Sequence, residues 1–330
     1  MENNSSSDNG HDNQSFVEVS QHASPPPETQ LPEAILETNL PLPLQSREGS
    51  CDIYDLGDYN LAVYTDRAGI LGFPIEEGIP QRGLYLARLA SYWLQRTAAI
   101  IPNHFKALVN TSEELSRFLK EGDSIEIPDN LTGRCIVYNK TEPLDIEFEV
   151  WGNLTGPAWK EYQEHETVFG RPQITGLLQS QCIPGYAFVA FQTDACGNRR
   201  LLTDEELTEI LGPKLADDIN SGFARLYNDV LRTLRVTGKF MVPQMKLVFE
   251  RDRNKARITN DLLTPDSAYY WDMQTYKIGC RHYSYEEQTL RTWLSHTSWR
   301  DSKPLPTIPA EIIAQTIDRH RILTERITDK

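Results

Sequence analysis

The run 216–236 carries a long amphipathic helical pattern inside a chain otherwise divided into short strand-like runs. Only a fold that combines helices with small sheets accommodates both periods. Residues 52–56 and 60–65 read as a β-hairpin turning through Gly57 and Asp58. Further strands are expected at 124–127, 134–139, 146–150, 240–242 and 246–250, and further helices at 83–96, 112–120, 285–294 and 309–328. Thr203 followed by Asp204, Glu205 and Glu206 is an N-cap with carboxylates in the first turn, opening a helix through Leu211. Residues 1–40 are rich in Ser, Asn, Gln, Pro and Glu, show neither period, and are expected to be a disordered tail. The class is therefore α+β, with a β-rich N-terminal lobe over 41–148 and a larger mixed lobe over 149–330.

With 330 residues the chain buries enough surface to fold without crosslinks. Cys51, Cys135, Cys182, Cys196 and Cys280 form no Cys-x-x-Cys pair and have no histidine at ligand spacing, which argues against a disulfide framework and a zinc site. A net charge of −14 without a basic stripe makes nucleic acid an unsuitable partner. No stretch approaches the ~20 apolar residues of a membrane span, and the N-terminus has no apolar leader, so a cytoplasmic protein is expected. A homo-oligomer is left open. No Gly-x-Ser-x-Gly elbow, P-loop or Gly-x-Gly-x-x-Gly is present.

Several collinear segments carry a resemblance. The strongest is Gly152-Asn153-Leu154-Thr155-Gly156-Pro157-Ala158-Trp159-Lys160-Glu161-Tyr162, followed by Leu263-Thr264-Pro265-Asp266-Ser267. Around them lie Asp52-Ile53-Tyr54, Thr65-Asp66-Arg67, Gly78-Ile79-Pro80 with Gly83, and Gln288-x-Leu290-Arg291-x-Trp293-Leu294. Together they resemble the SAICAR (phosphoribosylaminoimidazole-succinocarboxamide) synthetase family from Leu42 to Leu294. The resemblance implies a SAICAR synthetase-like two-lobe fold. It also implies a chemistry in which a carboxylate is joined to aspartate through an acyl phosphate, with ATP and magnesium in a cleft between the lobes.

The same alignment implies that many site residues are replaced. The family's phosphate-contacting Gly-Lys pair falls on Glu48 and Gly49, and the arginine that follows falls on Cys51. Its Asp-Arg-Ile-Ser-Ala-Phe-Asp segment becomes 66–72, keeping only Asp66 and Arg67. Its substrate-binding arginine falls on Trp151 and its serine on Pro157, and the arginine after its Leu-Thr-Pro-Asp-Ser-Ser segment falls on Tyr269. The lysine and acidic residues expected across 192–200 have no equivalent. In the Asp-Thr-Lys-Phe-Glu segment the aspartate becomes Gln244 and the glutamate Val248, leaving Lys246, and the later Asp-Glu pair becomes Asn260 and Asp261. The Asp-Lys pair before the C-terminal Gln becomes Glu286 and Glu287. With phosphate-binding cations and metal-binding carboxylates reduced, neither a metal nor a nucleotide cofactor is expected.

The replacements lean apolar and aromatic, as a pocket for a hydrophobic ligand requires. Ile70, Leu71, Phe73, Val189, Phe191, Met245, Val248 and Asp261 are expected to line the old cleft. Gln244, Lys246, Trp151 and Tyr269 are expected to be its hydrogen-bonding groups. The function expected on this reading is a cofactor-independent cyclase of the intramolecular Diels–Alder type, acting on an apolar small molecule in secondary metabolism. Orientation and one aimed donor supply its catalysis. Two alternatives stand beside it: a catalytically inactive scaffold, and the ATP-dependent ligase itself. For any single apolar residue, packing is the simpler explanation. Asp66 and Arg67 are expected to pair with each other structurally.

Overall fold

The computed structural model describes residues 31–330 apart from 121, 195–197, 253–254, 301–303 and 330. The expected tail therefore lies outside the described residues up to residue 30. From 31 to 40 the chain has no helix or strand but packs on the first sheet, so ordered chain begins earlier than expected. The Ile35 N–H donates to Asp66 Oδ2 at 2.9 Å, the Thr38 N–H to Asp52 Oδ2 at 2.7 Å, and Leu40 is buried.

The first sheet comprises β1 (Leu44–Glu48), β2 (Cys51–Asp55), β3 (Tyr59–Tyr64), β6 (Phe105–Val109) and β7 (Cys135–Asn139), ordered β1-β2-β3-β7-β6 with neighbours antiparallel. The expected hairpin is β2–β3. A small hairpin, β4 (Ala68–Ile70) and β5 (Phe73–Ile75), precedes α1 (Arg82–Thr97), which places Leu86, Leu89, Ala90, Trp93 and Leu94 in the core. A Cβ on Gly83 would stand 2.4 Å from the Tyr64 carbonyl oxygen, so only glycine lets this helix start against the end of β3. The short helix α2 (Ser112–Ser116) is capped by Thr111, and residues 124–127 form no strand.

The second sheet has the order β12-β11-β8-β14-β15, formed by β8 (Pro143–Asn153), β11 (Cys182–Thr193), β12 (Arg199–Leu201), β14 (Gln244–Asp252) and β15 (Lys255–Ile258). Its strands begin at residue 143, a few residues before the expected lobe boundary. Between β8 and β11 lie α3 (Gly156–His165) and the short pair β9 (Thr167–Val168) and β10 (Arg171–Pro172). Helix α4 (Asp204–Leu211) starts with a capping box between Thr203 and Glu206, and α5 (Pro213–Thr237) is the long amphipathic helix. The pair β13 (Phe240–Met241) and β16 (Trp271–Asp272), with α6 (Gln288–Ser295) and α7 (Ala310–Thr328), completes the chain.

Phe148, Val150, Leu247 and Phe249 project from one face of the second sheet into a cluster with Phe223, Leu226 and Val230 of α5 and Leu86, Leu89 and Trp93 of α1. That core runs unbroken from one sheet to the other, so the lobes share one interior. No described helix is long and apolar enough to cross a membrane.

Candidate functional site

Asp66 and Arg67 lie in the link between β3 and β4. Each finds a distant partner instead of the other. Buried Asp66 takes Arg134 Nη1 at 2.7 Å and Nη2 at 3.2 Å, together with the Gly83 N–H at 2.9 Å. Arg67 pairs with Asp52 at 2.7 Å and donates to the carbonyls of Leu36, Gly49 and Cys51. These contacts tie the β1–β2 turn and the start of β2 to the 31–40 segment.

That turn is one wall of a cleft of about 600 Å³, whose opposite wall is the segment 260–267. Arg82, at the start of α1, bridges the walls. It ion-pairs with Asp266 and donates to Ser50 Oγ at 2.6 Å, while Ser50 Oγ donates to Asp266 Oδ2 at 2.7 Å. Partial desolvation in the cleft opposes ionisation of Asp266, whose side chain stays 40% exposed, but Arg82 and Ser50 outweigh it and hold the carboxyl below its ordinary range. Asp261 lies deeper, accepting from the hydroxyls of Tyr64 and Tyr138. Burial pushes it up to about 6 against the pull of those two hydrogen bonds.

A second group of side chains lies on the face of the second sheet opposite the shared core. The register sets Gln244 beside Trp151, Lys246 beside Glu149 and Val248 beside Glu147, while Val189 and Phe191 flank Glu149 and Glu147 from β11. Glu149, only 2% exposed, accepts from Trp151 Nε1 at 2.7 Å and from Arg199 Nη2 at 2.6 Å. Lys246 Nζ lies 3.5 Å from Glu147 and 3.7 Å from Glu149, and Arg199 also pairs with Glu147. The Arg199 guanidinium sits 4.2 Å over the Phe191 ring. Tyr269, 40% exposed, borders this face, its N–H donating to the Gln244 carbonyl at 2.9 Å.

Six of the expected residues, Gln244, Lys246, Trp151, Val189, Phe191 and Val248, thus share one face. The others are placed differently. Met245 alternates to the opposite face and is fully buried in the main core. Ile70 is buried with Ile79, Leu290 and Ile313, and Phe73 packs edge-on against Trp299 at 5.3 Å. Leu71 is exposed in the β4–β5 turn, and Asp261 belongs to the Arg82 cleft. Trp151 and Val189 form a cluster with Leu154, Ala158 and Tyr162 of the α3 region, and Phe169 and Phe191 pack against it. Packing under α3 therefore accounts for the apolar character of these positions. Sequence reasoning assigned no site role to Arg82, Glu149 or Arg199, and Asp266 entered only as part of the Leu-Thr-Pro-Asp-Ser segment. The alternation Glu147-x-Glu149-x-Trp151 was the available signal for Glu149; nothing local marks Arg199.

Behind Arg82 a smaller cavity of about 60 Å³ is lined by Asp266, Glu286, Thr316 and His320. Glu286 accepts from Ser284 Oγ at 2.8 Å, and burial together with the neighbouring Glu287 pushes it up to about 8. The folded protein keeps Glu286 protonated where the unfolded chain, with a carboxyl near 4.5, has already ionised. Its contribution is full below that value and is lost as pH rises through about 8, at up to about 1.4 kcal/mol per pH unit. Urea denaturation of Glu286→Gln and the parent between pH 5 and 8 checks this. The parent loses stability relative to the variant across that window; parallel profiles contradict the assignment.

A profile of the SAICAR synthetase family matches residues 49–306, so the chain belongs to the SAICAR synthetase family. Among its relatives is the phosphoribosylaminoimidazole-succinocarboxamide synthase of Methylobacillus flagellatus, 31% identical over 282 residues, covering 84% of this chain and 92% of that protein. The synthase of Neisseria meningitidis serogroup B is 29% identical over 273 residues, covering 82% of this chain and 92% of its own. Among solved structures, the SAICAR synthase of Saccharomyces cerevisiae complexed with SAICAR superposes with a TM-score of 0.78 at 26% identity, over 90% of this chain and 98% of that one. The expected fold is confirmed. Relatives matching over nearly their full length are phosphoribosylaminoimidazole-succinocarboxamide synthases, and this overturns the expectation of a cofactor-independent cyclase of secondary metabolism. An apolar substrate has no support among them.

Proposed function

We propose that this chain is an ATP-dependent ligase of the SAICAR synthetase type, joining the carboxylate of an aminoimidazole ribotide to aspartate. The full-length likeness to SAICAR synthases carries the reading. The cleft supports it, because it gathers two arginines, two serine hydroxyls and two carboxylates where the resemblance puts the nucleotide.

Among the described residues no three His, Cys, Asp or Glu side chains are grouped to hold a metal. Magnesium that arrives with a nucleotide needs less, since it keeps several waters and takes one or two carboxylates besides the phosphates. Asp261 and Asp266 fit that requirement. Bound there, the ion would neutralise charge on the transferring phosphoryl group. Arg82, pre-set by Asp266 and Ser50, offers a guanidinium to the phosphates without reorganising, which is where electrostatic catalysis gains most. Lys246 and Arg199, both paired with Glu147 and Glu149 on the sheet face, are the cations nearest Gln244 and Tyr269 that an anionic carboxylate substrate would meet there.

We also infer that the ribotide is held weakly, because the resemblance implies Trp151, Pro157 and Tyr269 at positions where the family's motifs carry Arg, Ser and Arg. Tyr269→Arg restores one charge-assisted contact, worth roughly 1.5–3 kcal/mol. It is expected to lower the KM for the ribotide about tenfold, with kcat little changed; an unchanged KM removes position 269 from the substrate site.

The test is an assay of the purified chain with ATP, magnesium, aspartate and the ribotide carboxylate. SAICAR appearing with one ADP per product supports the proposal. Absence of product at saturating substrates, from protein shown to be folded, overturns it and leaves a non-catalytic member of the family.

A further inference from the structure

Helix α7 begins at residue 310, beyond the stretch 49–306 that the family profile matches, yet it supplies one wall of the small cavity behind the cleft. His320 is 4% exposed, and its Nδ1 is buried without a hydrogen-bond partner. A buried polar atom left in that state is costly unless water or a ligand meets it. The cavity is about 60 Å³, several times the volume one water needs, and Asp266, Glu286 and Thr316 contribute polar atoms around it. Arg82 and Asp266 line both this cavity and the main cleft, so the same ion pair has one side toward each.

We propose that His320 is a positioning residue for Arg82, acting through water held between its Nδ1 and the back of the Arg82–Asp266 pair. The water fixes the guanidinium from behind while its other side faces the cleft. Helix α7 thereby becomes part of the site without touching substrate. The consequence for turnover rests on the ligase reading; the positioning itself does not.

Two readouts keep these separate. In the full chain without ligand, the Arg82 Nε–Hε correlation, assigned by its loss in Arg82→Lys, is expected to shift or broaden in His320→Leu and to persist in His320→Gln, which keeps a polar side chain. In turnover, His320→Leu is expected to raise the KM for ATP about tenfold, measured beside a melting curve that shows the variant folded. His320→Gln is expected to recover most of that loss. In a double-mutant cycle the Leu substitution should add nothing once Arg82 is Met. A purely structural histidine would leave the Arg82 signal and the KM unmoved in a folded His320→Leu, and that result overturns the proposal. If the parent shows no turnover, the ligase reading fails and the Arg82 signal alone decides the positioning role.

Discussion

Asp66→Ala is expected to destabilise the protein by about 3–5 kcal/mol, because it leaves the Arg134 guanidinium uncompensated in the interior. Asp66 is fully buried, and Arg134 is 5% exposed. The same carboxylate accepts the Ile35 N–H and the Gly83 N–H, so one substitution loosens the 31–40 segment, the start of α1 and the β7 end together. Removing both charges, with Asp66→Ala and Arg134→Met, is expected to cost less than the sum of the single changes. Each single change strands a charge that the double change does not. Urea denaturation of the four proteins measures it. A single-variant loss below about 1 kcal/mol would mean that water reaches Arg134 and that the pair is not the anchor described here.

Arg82→Met is expected to separate activity from stability in the opposite sense. Asp266 keeps 40% of its side chain exposed, so losing its partner strands no fully buried charge and costs roughly 1 kcal/mol. Turnover should fall by about 10²–10³, the loss that follows removal of a pre-set charge or donor facing a transition state. Steady-state kinetics with a melting curve on the same preparation checks both numbers. A variant that keeps the parent's kcat would place the nucleotide away from this cleft.

How much of this was legible in the sequence depended on range. Elements with strong local signals were readable: the Thr203 N-cap, the α5 pattern and the β2–β3 hairpin all stand near their expected positions. The fold was legible through the collinear segments, since motifs in order constrain topology even when each is weak. Side-chain partnership was not. Asp66 next to Arg67 suggests a pair, but the fold sends them to Arg134 and Asp52 respectively. Strand alternation puts Met245 in the core while Gln244 and Lys246 face the other way.

The inference from apolar replacements to an apolar ligand failed for a related reason. Trp151 and Val189 lie under α3, and composition cannot distinguish a lining residue from one that packs beneath a helix. Arg82 and Asp266 were hidden because 184 residues separate them, and only the folded chain brings the start of α1 to the Leu-Thr-Pro-Asp segment.

The most direct test of the central claim follows an oxygen atom. In a ligase of this type a carboxylate oxygen attacks the γ-phosphorus and ADP leaves. The amine then displaces phosphate from the acyl carbon, and that phosphate carries the carboxylate oxygen away. With ribotide labelled with ¹⁸O in its carboxylate, ATP, magnesium and aspartate, the account predicts one labelled oxygen in each inorganic phosphate released, seen by mass spectrometry or as an isotope shift in ³¹P NMR. Phosphate released without label, or no phosphate released when the labelled carboxylate is present, would contradict it.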